Sequence, residues 1–151
     1  MSILSTLAQA PESAAQLPTP CDLRLLCHRL SAGFPSPAAD YAEEGLDLNE
    51  YLVRNKSATY MFTVRGDSMT GAGIADGDKV VVDRSLRPMH DDILVALVNG
   101  EFTIKRLHKR RSTVELHAAN LAYPPITFSE GAELQVWGVV VGVVRRLKTR
   151  G

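Results

Sequence analysis

"DILVALVNGEFTIKRL", residues 92–107, places two apolar runs on either side of Asn99-Gly100. Asn-Gly between β-rich runs is a strong hairpin signal, because a two-residue type I′ turn needs positive φ at both central positions. Such a turn fixes the register: Val98 faces Glu101, Ala96 faces Thr103 and Leu94 faces Lys105. Side chains alternate along a strand, so Lys105 shares a sheet face with Leu94, Ala96 and Thr103. A strand lysine most often snorkels to water. One held on an apolar face is poorly solvated, and its amine titrates towards neutrality.

Outward from this hairpin the chain continues as strands and turns. "TYMFTV" (59–64), "KVVVD" (79–83), "TVELHAA" (113–119) and "LQVWGVVVGVVRRL" (134–147) are rich in β-branched and aromatic residues. Gly66, Asp76-Gly77-Asp78 and Pro124-Pro125 punctuate them. The pattern predicts one mostly-β domain with six or seven short strands. Upstream, "DLRLLCHRL" (22–30) suits one or two helical turns capped by Asp22. "EEGLDLNEYLVRN" (43–55) suits a short helix capped by Asp47, with Leu48, Tyr51 and Leu52 on one face. Residues 1–20 are rich in Ala, Ser, Pro and Gln, the composition of a flexible N-terminal arm. Gly33, Pro35 and Pro37 exclude a regular helix between the two helical stretches.

The chain has 151 residues and a formal net charge of zero, so bulk charge does not indicate a polyanion-binding protein. Residues 1–100 hold 8 Lys and Arg against 13 Asp and Glu, and residues 101–151 hold 9 against 4. The basic cluster "KRLHKRR" (105–111) reads first as a charged hairpin end. Cys21 and Cys27 match neither a CxxC redox motif nor a zinc knuckle, so reduced thiols and no metal or cofactor are expected. The first basic residue is Arg24, which leaves no signal-peptide n-region. "VWGVVVGVV" (136–144) is far shorter than a bilayer span. A cytoplasmic protein is expected. The run 134–147 is too apolar for a strand with one wet face, which points either to core or to a dimer interface.

"RGDSMTGAGIADGDKVVVD" (65–83) is the stretch that can carry chemistry. Ser68 follows a strand end at Gly66, with further glycines at 71 and 73. Such a turn can expose a hydroxyl and leave N–H groups free for an oxyanion, although a serine there is usually a plain turn residue. His28, His90, His108 and His117 are candidate bases, none with a companion Asp in a triad arrangement. A neutral Lys105 amine is the other candidate.

Several motifs then resemble one family. "GFPSPAADY" (33–41), "SATY" (57–60), "GDSM" (66–69), "GIADGD" (73–78), "VNGEFT" (98–103), "NLAYPPI" (120–126) and "GVVVGVV" (138–144) occur in the order and spacing of the self-cleaving serine–lysine peptidases. That family, S24, includes LexA and UmuD, and the resemblance is strongest to the UmuD group. It implies a LexA-like fold of short, highly curved antiparallel strands. It implies Ser68 as nucleophile, Lys105 as general base and the Ala32–Gly33 bond as the site of self-cleavage. Residues 1–32 would then be the removed arm and 33–151 the peptidase domain. The N–H groups of Asp67 and Ser68 are the candidate oxyanion hole. One departure is visible: Ala32 stands where the UmuD pattern has cysteine, matching the Ala-Gly pair of LexA-type repressors.

The resemblance also implies an SOS-response role in translesion synthesis, as a homodimer. Its implied partners are a RecA filament on single-stranded DNA, a UmuC-type Y-family polymerase subunit and the replicative sliding clamp. Direct sequence-specific DNA binding and membrane association are not expected. The alternatives are a LexA-type repressor, a type I signal peptidase and a non-catalytic polymerase-binding β-domain. The first would need a helix-turn-helix before the cut, which a 32-residue proline-interrupted arm cannot hold. The second would need a membrane segment.

Overall fold

A computed structural model describes residues 12–13, 22–26, 29–35, 37, 43–128 and 134–150. Most of the expected flexible arm, with Cys21, Cys27 and His28, lies outside the described residues. The described chain is mostly β, as expected, with one short α-helix and two single 3-10 turns. Its strands are β1 (Glu12–Ser13), β2 (Asp22–Leu26), β3 (Glu43–Asp47), β4 (Thr59–Thr63), β5 (Lys79–Asp83), β6 (Ile93–Val98), β7 (Glu101–Arg110), β8 (Thr113–His117), β9 (Ile126–Thr127) and β10 (Gln135–Val144). Eight of them form one curled antiparallel sheet in the order β1-β4-β5-β10-β6-β7-β8-β9, and β2 and β3 pair separately.

The β6–β7 hairpin has the register that Asn99-Gly100 dictates. Val98 pairs with Glu101, Ala96 with Thr103 and Leu94 with Lys105. Asn99 and Gly100 have φ of 50° and 78°, as the type I′ turn demands. Alternation along β6 sends Ile93 and Val95 to one hydrophobic cluster and Leu94 and Ala96 to another. The first cluster also holds Val64, Met69, Ile74, Val80 and Val82, and the second holds Leu107, Leu116 and Val139.

The apolar run in β10 serves both clusters through two β-bulges. Its register shifts between Val136 and Gly138 against β6, and again between Val140 and Gly142 against β5. Each bulge adds a residue and reverses the alternation. Val136 and Val139 therefore join one cluster, and Trp137 and Val140 the other. Trp137 meets Tyr60, Phe62 and Phe102 edge to face, with the Arg84 guanidinium 4.2 Å from its ring centroid. Core thus accounts for much of the run's hydrophobicity, while Val141 and Val143 remain exposed.

Beyond β10, Arg145 forks onto the buried Asp78 carboxylate at 2.6 and 2.7 Å. This pair of bonds, with the Ala75 N–H, lowers the Asp78 pKa to about 2. The C-terminal strand is thereby tied to the 75–78 turn.

Two local expectations need correction. Residues 22–26 form β2, not a helix, and Asp22 caps nothing helical. Leu23 and Leu25 fit a period of two, whereas Leu23, Leu26 and Leu30 fit a helical one, and β3 supplies a continuous row of backbone partners from Asp47 to Glu43. A helix this short is marginal on its own, so the paired strand wins. The helix expected over 43–55 shrinks to α1 (Leu48–Leu52), because 43–47 are taken by β3. Asp47 does cap it, accepting from the Asn49 N–H at 2.9 Å. Leu52 lies over Gly142, whereas Tyr51 stays exposed.

At Gly138 a Cβ would lie 2.6 Å from Val82 Cγ1 in the packed interior. Gly138→Ala should therefore destabilise the domain by about 1–3 kcal/mol through overpacking. Chemical denaturation reads this as a lower midpoint with an unchanged slope.

Candidate active site

Strand β4 ends at Thr63, and the chain turns through Gly66, whose φ of 95° lies in the region that favours glycine. The Gly66 N–H donates to Asp76 Oδ1 at 2.7 Å, which holds the turn from behind. Met69, only 1% exposed, anchors the next segment in the core. Ser68 is pinned between these two points, half-buried, with its hydroxyl at the wall of a cleft of about 510 Å³. One wall of the cleft is Met61 to Ser68, and the opposite wall is Phe102 to Lys105.

Lys105 reaches across from β7. Its Nζ lies 3.2 Å from Ser68 Oγ, 3.0 Å from Thr103 Oγ1 and 3.0 Å from the Ile104 carbonyl oxygen. The residue is 8% exposed, opposite the fully buried Leu94. Burial disfavours its ammonium form and lowers its pKa from 10.5. The face assignment made from the Asn-Gly register thus holds, and the structure brings Ser68 and Lys105 together.

The other candidate bases lie elsewhere. His90, His108 and His117 form a row of ring contacts with centroids 5.0 and 4.7 Å apart, and His117 Nε2 lies 2.6 Å from Glu115 Oε2. None of the three lines the cleft. Ala32 and Gly33 lie in an exposed bend, where the Gly33 N–H donates to Ser31 Oγ at 3.3 Å. No residue of 29–35 lines the cleft either. Among the described residues, no group of His, Cys, Asp or Glu is arranged to hold a metal. No described helix is long and apolar enough to cross a membrane.

Sequence reasoning missed the supports of this site. The hairpin register puts Thr103 on the lysine's face, and its hydroxyl also meets the amine. Asp67 is gripped from the 119–123 segment: Asn120 Nδ2 donates to its carbonyl at 2.9 Å, and the Tyr123 hydroxyl donates to its Oδ1 at 2.6 Å. That bond raises the Tyr123 pKa, since ionisation would forfeit the proton that it donates. The Gly71 N–H donates to Ala119 O at 2.7 Å. A Cβ at 71 would lie 2.5 Å from the same oxygen, so glycine is what permits the approach.

A serine hydroxyl within hydrogen-bond reach of a desolvated amine is the geometry of an activated nucleophile. The family model described as Peptidase S24-like matches residues 24–141, a span that contains the dyad and the Ala32–Gly33 bond. The chain belongs to this family. Protein SamA of Salmonella typhimurium strain LT2 is 43% identical over 143 residues, covering 95% of this chain and 97% of that protein. Protein MucA of Escherichia coli is 47% identical over 113 residues, covering 74% and 77%. The LexA repressor of Syntrophotalea carbinolica is 43% identical over 90 residues, covering 60% of this chain and 45% of the repressor. The resemblance read from the motifs, to S24 peptidases and to UmuD-family proteins among them, is borne out.

The lowered pKa of Lys105 sets a sign for stability against pH. Between the folded-state value and 10.5 the unfolded chain holds a proton that the folded chain lacks, so stability rises with pH through that window. Thermal melts of the wild type and Lys105→Met should therefore diverge with increasing pH, in favour of the wild type, and run parallel above 10.5. Curves that stay parallel throughout would mean that the amine is solvated normally.

Proposed function

We propose that this S24 peptidase cleaves its own chain between Ala32 and Gly33, with Ser68 as nucleophile and Lys105 as general base. The observation that supports this most directly is the Lys105 Nζ–Ser68 Oγ distance of 3.2 Å at a desolvated amine. Neutral Lys105 takes the Ser68 proton as Oγ attacks the Ala32 carbonyl carbon. The resulting oxyanion is held by backbone N–H groups of the Asp67–Ser68 turn. On collapse, the C–N bond breaks and Lys105 returns the proton to the Gly33 amine. Water then attacks the Ala32 ester, giving its proton to Lys105, and the free carboxylate and the Ser68 hydroxyl are restored.

The substrate is tethered to the enzyme, so high effective concentration takes the place of affinity. Small residues on both sides of the bond allow close backbone approach. Residues 1–32 form the removable arm, and 33–151 the product that remains.

The similarity to UmuD-family proteins extends the reading to biology. The chain acts in the cytoplasm as an SOS mutagenesis protein. A RecA filament on single-stranded DNA stimulates the cut, and the processed homodimer serves a UmuC-type translesion polymerase and contacts the sliding clamp. What supports this part is the near full-length match to SamA and the match to MucA, together with the family's peptidase model.

Incubation of the purified protein at mildly alkaline pH, followed by intact-mass measurement, should show fragments separated at 32/33. The rate should rise with pH as Lys105 loses its proton and then level off. Ser68→Ala and Lys105→Ala should show no processing over the same period. Fragments from Ser68→Ala, or a cut elsewhere in the wild type, would sink the assignment.

A further inference from the structure

The peptide unit between Asp67 and Ser68 is held by one end only. Its carbonyl oxygen accepts from Asn120 Nδ2 at 2.9 Å, Thr70 Oγ1 at 3.1 Å and the Thr70 N–H at 3.3 Å. Its N–H has no hydrogen-bond acceptor among the described residues. A trans peptide is planar, with C=O and N–H on opposite sides, and no cis bond occurs among the described residues. Three donors drawing the carbonyl towards residues 70 and 120 therefore aim the N–H the opposite way. The Tyr123 hydroxyl adds a second restraint on the same residue through Asp67 Oδ1, and Tyr123, Asp67 and Ser68 all line the cleft.

We infer that Asn120 and Tyr123 are positioning residues for the nucleophile turn. Acting through Asp67, they fix the Asp67–Ser68 peptide plane so that the Ser68 N–H faces the cleft as an oxyanion donor. The inference rests on the peptidase reading above. A flip of this peptide would give up three hydrogen bonds and put a carbonyl oxygen where the developing oxyanion needs a donor. Neither residue touches Lys105 or Ser68 by any hydrogen bond, so their effect is separable from that of the general base.

The test follows self-cleavage by intact mass across a pH series. Losing an oxyanion donor outright costs about 10²–10³ in rate, so loosening its orientation should cost roughly ten-fold. Asn120→Ala should lower the alkaline plateau by that order and leave the pH midpoint, set by Lys105, unmoved. Tyr123→Phe should act in the same direction. Asp67→Asn, which keeps an acceptor for the tyrosine, should retain the rate, and Asp67→Ala should match Tyr123→Phe with no further loss when the two are combined. Unchanged plateaus, a shifted midpoint, or losses that follow the melting temperature would overturn the inference. Amide NMR of the uncleaved chain at neutral pH gives a readout independent of chemistry. In Asn120→Ala the Ser68 amide resonance should move or broaden, and an unperturbed one overturns the inference. If the wild type fails to cleave, the peptidase reading falls while this measurement still decides the geometry.

Discussion

Burying an amine costs free energy unless acceptors replace the water it leaves, and at Lys105 three oxygens do so at 3.0–3.2 Å. Two of them come from β7 itself, through Thr103 and Ile104, and the third is the hydroxyl of Ser68. The strand thus supports most of the lysine, and the serine completes it. A slip of one residue in the β6–β7 register would turn Lys105 to the other sheet face and strip it of its cross-strand neighbour Leu94. The Asn99-Gly100 turn, far from the chemistry, is therefore what keeps the amine desolvated.

The serine side of the pair depends on anchoring from several directions. Asp76 holds Gly66, Met69 is sunk in the core, and the 119–123 segment holds both Asp67 and Gly71. The 73–78 turn that carries Asp76 is itself fixed by Arg145 on Asp78 and on the Gly73 carbonyl. The 73–78 turn, the 119–123 segment and Arg145 just past β10 thus converge on one peptide turn, though they are scattered along the chain. A turn held from several sides has its N–H groups oriented in advance, which is what electrostatic stabilisation of an oxyanion needs.

How far the sequence disclosed this depends on the range of each signal. The β6–β7 pairing was legible residue by residue, because Asn-Gly specifies both turn type and register locally. "KVVVD" was legible as β5 to the residue, being a continuous β-branched run bounded by turn residues. β2 is open to two readings, since the leucines at 23, 25, 26 and 30 contain both an alternating and a helical subset and its partner strand lies 17 to 25 residues away. The bulges of β10 were not legible. No local pattern announces where alternation reverses. Within the site, Ser68 and Lys105 stood out by motif and by face. Asn120 and Tyr123 did not, because "NLAYPPI" reads as a turn and their contacts with Asp67 span 53 and 56 residues.

Cleavage at Ala32–Gly33, as proposed, leaves one step that the assembled dyad does not perform. Leu30 and Phe34 flank the bond and are each 92% exposed, and the bend that carries it lies outside the cleft. The observed rate is then the rate within the cleft multiplied by the fraction of chains whose bend occupies it. The cleft offers Met61, Phe62, Val64, Val95 and Phe102 along its walls. Burying a large apolar side chain gains about 1.5–3 kcal/mol, so Leu30 and Phe34 together favour entry. Against them stands the entropy of ordering a loop that holds Pro35 and Pro37. Those prolines reduce the freedom to be lost, because their φ is already fixed. Any partner that favours the docked bend over the free one raises the occupied fraction, and the rate with it. On the proposed reading, control therefore lies in where the substrate segment docks, since Ser68 and Lys105 already lie within hydrogen-bond reach.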